Sequence, residues 1–98
     1  MLTLPIKRKY FDMIENDIKG EEYRDTKPYY DARFRKLNFP ITLRLRAGYR
    51  KDSPLMECVV RITLGVGRED WGAVPGKVYY VLKILEHKRV RNITTSST

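Results

Sequence analysis

Apolar and polar residues alternate along five segments of the chain, the pattern of half-buried β-strands. These segments are residues 2–7, 21–26, 41–49, 55–67 and 78–89. Pro5 confines the first strand to a sheet edge or to a strand start, because proline cannot donate to a ladder. Nine apolar side chains of the third and fourth strands are predicted to face the core: Ile41, Leu43, Leu45, Ala47, Met56, Cys58, Val60, Ile62 and Leu64.

Two other segments have helical spacing. In residues 7–19, Phe11, Ile14 and Ile18 recur on one face, and Gly20 is a suitable helix stop. In residues 28–38, Pro28 suits the first turn, and Tyr30 lies four residues before Phe34.

The order of these elements predicts an α+β fold that is mainly β. Two short strands alternate with two helices, and three longer strands with hairpin-like connections follow. Such an order favours a small, partly closed β-barrel of five to six strands flanked by two helices. With 98 residues we expect one domain, residues 1–89, and a polar tail, residues 90–98, that is disordered.

The chain is strongly basic, with 20 Lys and Arg against 12 Asp and Glu and a net charge of +8. Such an excess favours a polyanion as partner, first of all RNA or single-stranded nucleic acid. Basic and aromatic residues interleave between positions 27 and 51, which suits phosphates and bases together. Seven of these cations are predicted to guide a nucleic-acid backbone: Arg33, Arg35, Lys36, Arg44, Arg46, Arg50 and Lys51.

The same residues have simpler interpretations. Tyr30 and Phe34 suit packing of the second helix onto the barrel. Arg44 and Arg46 also suit an exposed sheet face that carries charge for solubility. Trp71, in a loop rich in Gly and Pro, either walls a cleft or caps the barrel.

Several classes of site are not expected. The single cysteine, Cys58, cannot form a disulfide framework, and with the single histidine, His87, it gives no metal site. His87 is predicted to be a surface residue, and no cofactor is expected. No apolar run reaches the roughly 20 residues that span a bilayer, and the N-terminus lacks a signal-peptide pattern. We therefore expect a cytoplasmic protein with no membrane partner.

The segment IKGEEYRD, residues 18–25, concentrates opposite charges. Strand alternation places Glu22 and Arg24 on one face, and Lys19 lies at the preceding helix end. Glu22 could accept from a base amino group, Arg24 could bind a phosphate, and Lys19 would add a charge whose pKa the arginine lowers. The alternative is a solvated cluster that contributes about 0–1 kcal/mol per ion pair.

The run from Ile14 to Arg24 resembles the signature of the ASCH domain, a branch of the PUA-like superfamily, whose pattern is G-x-K-x-x-E-x-R. Lys19, Glu22, Tyr23 and Arg24 match it, and the downstream W-G-A and G-K-x-Y-Y-V segments resemble short ASCH proteins of phages and prophages. The likeness extends to about residue 86. The family glycine is replaced by Asp17, so the turn could shift to Gly20.

The resemblance implies a PUA-like barrel with a cleft near the motif and an association with RNA or modified nucleosides. The expected ligand-binding residues are Lys19, Glu22, Tyr23, Arg24, Tyr30 and Trp71. Some bacterial relatives hydrolyse an acylated cytidine with the motif lysine and a threonine, and Glu22 replaces that threonine here.

Three functions follow as hypotheses. The first is a module that binds RNA or a nucleotide. The second is a small amidohydrolase acting on a modified nucleoside such as N4-acetylcytidine, with Lys19 and Glu22 as catalytic residues. The third is a protein-interaction adaptor.

Overall fold

The computed structural model describes residues 1–34 and 40–90. A 3₁₀ turn at Glu69–Trp71 connects the last two strands. The strands and helices, in chain order, are β1 (Thr3–Pro5), α1 (Arg8–Glu15), β2 (Glu21–Arg24), α2 (Pro28–Arg33), β3 (Pro40–Arg46), β4 (Leu55–Val66) and β5 (Val78–Val90).

The five strands form one curled sheet, a half-barrel, in the order β1-β3-β4-β5-β2. β1 runs parallel to β3, and every other neighbouring pair is antiparallel. The predicted α+β class, mainly β with two helices, is confirmed. Pro5 lies in an edge strand, as predicted, where its missing N–H breaks no ladder.

The core lies on the face of the sheet that receives α1. Strand alternation directs apolar side chains to this face, and Phe11 and Ile14 of α1 pack against them. Leu64 is an exception to the predicted pattern because it is largely exposed. Its part of β4 extends beyond Arg61, the last β4 residue that pairs with β3.

A β-bulge at Leu85 shifts the register of β5 against β4. Beyond it, His87 and Arg89 face toward α1. Arg89 forms two hydrogen bonds of 2.7 Å with the Glu15 carboxylate, and His87 Nε2 lies 2.6 Å from Asp17 Oδ1. The His87 side chain is only 21% exposed, so it is a half-buried, paired residue rather than the surface residue predicted.

Helix α1 is shorter than the predicted 7–19 because a Schellman motif ends it after Glu15. The N–H of Ile18 donates to Met13 O, and the N–H of Asp17 donates to Ile14 O. Asp17 occupies the left-handed position with φ of 59°. The turn therefore stays at position 17 and does not shift to Gly20, and Ile18 is exposed instead of lying on the helix face.

Helix α2 begins at Pro28, as predicted, and packs through its aromatic residues. Tyr30 stacks on Phe34 with 5.5 Å between ring centroids, and Phe34 meets Tyr80 edge to face at 5.3 Å. The helix ends at Arg33, before the predicted 38. Arg35 and Lys36 of the predicted basic set, and most of the predicted tail, lie outside the described residues.

Neither helix of the described part of the chain has the length and apolar character that crossing a bilayer requires.

The single cysteine, Cys58, gives a direct test of this core. Its side chain is fully buried, and burial raises the pKa of its thiol to about 12, so roughly one thiol in 10⁴ is ionised at pH 8. We expect Ellman's reagent to label the native protein at least about 1,000-fold more slowly than the guanidinium-unfolded chain. Complete labelling of native protein within seconds would contradict this core.

Candidate functional site

The two edge strands of the sheet meet across a gap that a side chain closes. β1 and β2 lie at opposite ends of the strand order, and no backbone ladder joins them in the described part of the chain. Arg24 on β2 instead donates from Nη2 to the carbonyl oxygen of Pro5 on β1, at 2.8 Å. We call this gap the seam.

A buried ion cluster holds Arg24 in place. Glu22 Oε2 accepts from Arg24 Nη2 at 2.7 Å, and Glu22 Oε1 lies 3.2 Å from Lys19 Nζ. Lys19, Glu22 and Arg24 are 1%, 7% and 9% exposed. The sequence correctly predicted that these three side chains converge, but the solvated cluster considered as an alternative is excluded by their burial.

The Lys19 ammonium lies beneath the surface and has three partners. Besides Glu22, it donates to the carbonyl oxygens of Glu21 and Trp71, the latter at 2.9 Å. Burial lowers its pKa below the usual value, while attraction to Glu22 raises the pKa and Arg24 lowers it further. The lowering of the Lys19 pKa by Arg24 was predicted from the sequence, but burial lowers this pKa more.

A cleft of about 350 Å³ opens at the seam. Five of its thirteen lining residues are aromatic, and two exposed lysines also belong to the lining. Lys19 lies behind this lining, but the other five predicted ligand-binding residues belong to it. The lining residues are Pro5, Ile6, Lys7, Tyr10, Glu22, Tyr23, Arg24, Asp25, Lys27, Tyr30, Trp71, Gly72 and Tyr79.

The loop between β4 and β5 fixes the indole of Trp71 as a wall of the cleft. Arg68 places its guanidinium 4.2 Å from the Trp71 ring centroid and forms a two-point ion pair with Asp70. Gly72 has φ of 98°, and a Cβ there would lie 2.7 Å from Tyr10 Oη. Only glycine therefore lets the loop approach Tyr10 this closely.

The Tyr23 hydroxyl joins this loop to β2. It donates to Glu21 Oε1 at 2.8 Å and accepts from the Arg68 N–H at 3.0 Å. Burial raises the pKa of Tyr23 to about 12, so the ring is neutral at physiological pH. The loop, β2 and the end of α1 therefore form one connected support under the cleft.

The five described residues of the predicted basic set between 33 and 51 do not gather at this cleft. Arg33 packs on the Tyr29 ring at 3.7 Å, Arg44 faces Glu57 at 3.6 Å, and Arg50 faces Asp52 at 3.5 Å. Arg46 lines a neighbouring cavity, and Lys51 lies in the β3–β4 turn.

Eight of the thirteen lining residues were missed by sequence reasoning, and four of these have aromatic or cationic side chains: Lys7, Tyr10, Lys27 and Tyr79. Lys27 and Tyr79 carried a usable signal, since Lys27 belongs to the basic run and Tyr79 to the G-K-x-Y-Y-V segment. For Lys7 and Tyr10 the signal lies in tertiary structure, because β1 reaches the cleft only when the sheet curls.

Protein groups engage the charged atoms of the cluster. All three partners of the Lys19 ammonium are protein oxygens, and its side chain has no exposed surface. Each Glu22 oxygen faces a cation. Among the described residues Arg24 Nη1 donates only to Tyr30 Oη, at 3.2 Å, so one Nη1 N–H remains as a donor beside the cleft, whereas the partnerless Nε–H is buried. Within residues 1–34 and 40–90, no three His, Cys, Asp or Glu side chains come together as metal ligands.

Comparison of the chain with protein-family models, with curated proteins and with solved structures found no match. The resemblance to the ASCH signature therefore depends on the motif residues themselves. One structural detail bears on it, namely that Asp17, at the family's glycine position, has the left-handed backbone that glycine favours.

Removing the charge of Glu22 should destabilise the protein strongly, because two cations then share a buried site without an anion. We expect Glu22→Gln to lower the free energy of unfolding by about 3–5 kcal/mol. The matched control is Glu57→Gln on the opposite sheet face, which loses only half-exposed pairs with Arg44 and Lys88 and should cost under about 1 kcal/mol. Urea unfolding of both variants measures the difference, and equal losses would contradict the cluster's role.

The pH dependence of the Glu22→Gln deficit gives a second check on the same variant. A lysine whose pKa is lower in the folded state destabilises the fold while it is charged, and this penalty is relieved as pH rises through the folded pKa toward 10.5. Loss of Glu22 lowers the pKa of Lys19 further, so the deficit should shrink as pH rises toward the ordinary lysine value of 10.5. A deficit that stays constant or grows would contradict this.

Proposed function

We propose that the protein binds a nucleotide or a short single strand of RNA in the cleft at the seam, as a PUA-like module of the ASCH type. The observation that carries the proposal is the composition of the cleft. Aromatic rings form its walls, exposed lysines lie at its edge, and a fixed arginine forms part of its floor.

The walls suit a nucleobase. Tyr10, Tyr30, Trp71 and Tyr79 come from four separate elements of the chain and line one space of about 350 Å³, within the usual range of small-molecule sites. Unpaired bases are commonly bound by stacking on such rings, with hydrogen bonds to their edges. The remaining Nη1 N–H of Arg24 can donate to a base edge, because Glu22 and Pro5 fix the orientation of the guanidinium.

The charges of the cleft suit a phosphate. Lys7 and Lys27 are exposed at its lining, and both carboxylates of the lining are neutralised. Glu22 lies between two cations, and Asp25 accepts from Lys77 at 2.9 Å, which lowers the pKa of Asp25. The remaining field is positive, consistent with the net charge of +8.

Binding is preferred over hydrolysis because of one observation. A hydrolase mechanism needs Lys19 to reach a substrate, whereas its side chain is fully buried and its ammonium contacts three protein oxygens. Binding is also preferred over the adaptor hypothesis. An adaptor function gives no reason for a cleft lined by aromatic side chains.

The single tryptophan makes binding directly measurable. Trp71 is a wall of the cleft, so titration with a single-stranded RNA oligonucleotide should quench its fluorescence. The affinity should fall as salt rises, because phosphate contacts release counterions. The double variant Lys7→Ala/Lys27→Ala should bind about tenfold more weakly, and its slope of log affinity against log salt should be shallower by about 0.7 per lysine.

The matched control is Lys83→Ala/Lys88→Ala, which removes the same charge from exposed β5 positions outside the lining of the cleft. It should change affinity little. Absence of quenching at low salt would overturn the proposal. Equal weakening in both double variants would show that binding follows net charge alone and does not use the cleft.

A further inference from the structure

We propose that the cleft is one end of a longer groove that holds an extended single strand, with Tyr49 as a second stacking platform. This inference rests on the proposed function. The cleft adjoins a second cavity of about 500 Å³, which in turn adjoins a third of about 340 Å³. Tyr30 and Arg24 line both the first and the second cavity, and Tyr49 lines both the second and the third. These three cavities together are called the strand groove.

Tyr49 is the most exposed tyrosine of the described residues, with 89% of its surface accessible. Its turn is closed by hydrogen bonds. Ala47 N–H donates to Pro54 O at 3.0 Å, and the buried Ser53 hydroxyl accepts from the Arg50 N–H at 3.2 Å. Gly48, with φ of 120°, allows the tight approach to Ser53. The hydrogen-bonded turn thus presents an aromatic ring to solvent, and exposed rings are the stacking surfaces of single-strand binders.

The charges along the strand groove match a phosphate backbone. The second cavity is lined by Lys7, Arg8 and Arg24, the third by Arg46, and neither lining contains an acidic residue. The Arg46 Nε–H is buried and has no hydrogen-bond partner in the described part of the chain. Arg8 is paired with Asp12 at 2.9 Å, but this pair is exposed and worth little, so Arg8 can turn to a phosphate.

The arrangement of rings and cations indicates the kind of ligand. Trp71 lies at one end of the strand groove, Tyr30 in its middle, and Tyr49 toward the other end. Each cavity is of a size that suits one nucleotide. A strand of roughly three to five nucleotides would therefore fill the strand groove, whereas a mononucleotide would occupy only the cleft.

The experiment compares adenylate ligands of one, three and five nucleotides by Trp71 fluorescence. For the wild-type protein we expect affinity to rise with length across this series. Tyr49→Ala should remove most of that gain, weakening pentanucleotide binding about 5- to 100-fold while leaving mononucleotide affinity unchanged. Tyr49→Phe keeps the ring and should bind as the wild type does.

A second pair of variants tests the phosphate path. Arg8 lines the second cavity, whereas the adjacent and equally exposed Lys9 lines none of the three. Arg8→Ala should therefore weaken the pentanucleotide selectively, and Lys9→Ala should not.

The outcomes separate this inference from the proposed function. The strand groove would be overturned, and the cleft left intact, by either of two results. One is mononucleotide binding with no gain in affinity for longer ligands, and the other is a Tyr49→Ala variant that binds the pentanucleotide normally. Absence of binding by every ligand would overturn both.

Discussion

The contact between the Arg24 guanidinium and the Pro5 carbonyl is the constraint on which the rest of this structure depends. A curled sheet of five strands brings its edges together without pairing them, and this arginine spans the gap. Glu22 fixes the arginine, and Lys19 joins Glu22 to the loop that carries Trp71. The same contacts that close the half-barrel therefore form the floor of the cleft and position its walls.

This closure has an energetic cost that an apolar closure would avoid. Three ionised side chains leave water, and two of them are cations, so the cluster keeps a net positive charge. The lowered pKa of Lys19 reflects the same balance, since burial outweighs the attraction of Glu22. Hydrophobic residues of similar volume often stabilise a fold as well as a buried ion pair does. Hydrophobic residues cannot, however, place an oriented hydrogen-bond donor beside a cleft, as the cluster does with Arg24.

Much of the fold could be predicted from the sequence because strand alternation is a local signal. It located the five strands, and it placed Glu22 and Arg24 on one face with Lys19 nearby. The end of α1 was missed because the left-handed turn at Asp17 depends on hydrogen bonds to Met13 and Ile14. Aspartate, unlike glycine, does not predict a left-handed helix end from the sequence. Lys7 and Tyr10 were missed for a different reason. Their part of the cleft exists only because β1 pairs with β3 and the sheet curls. Local patterns in the sequence do not predict this order of strands.

The position of β2 in the sheet has a consequence for folding kinetics. β2 pairs with β5 across more than fifty residues of chain, so the contacts that bring the two edges together are among the least local in the molecule. Loop-closure entropy must be overcome before such contacts form. The hairpin of β4 and β5 can form early, but the cleft is complete only when its lining is assembled from β1, α1, β2, α2, the loop after β4 and the start of β5. A chain that has not completed its last long-range pairing therefore lacks the cleft altogether.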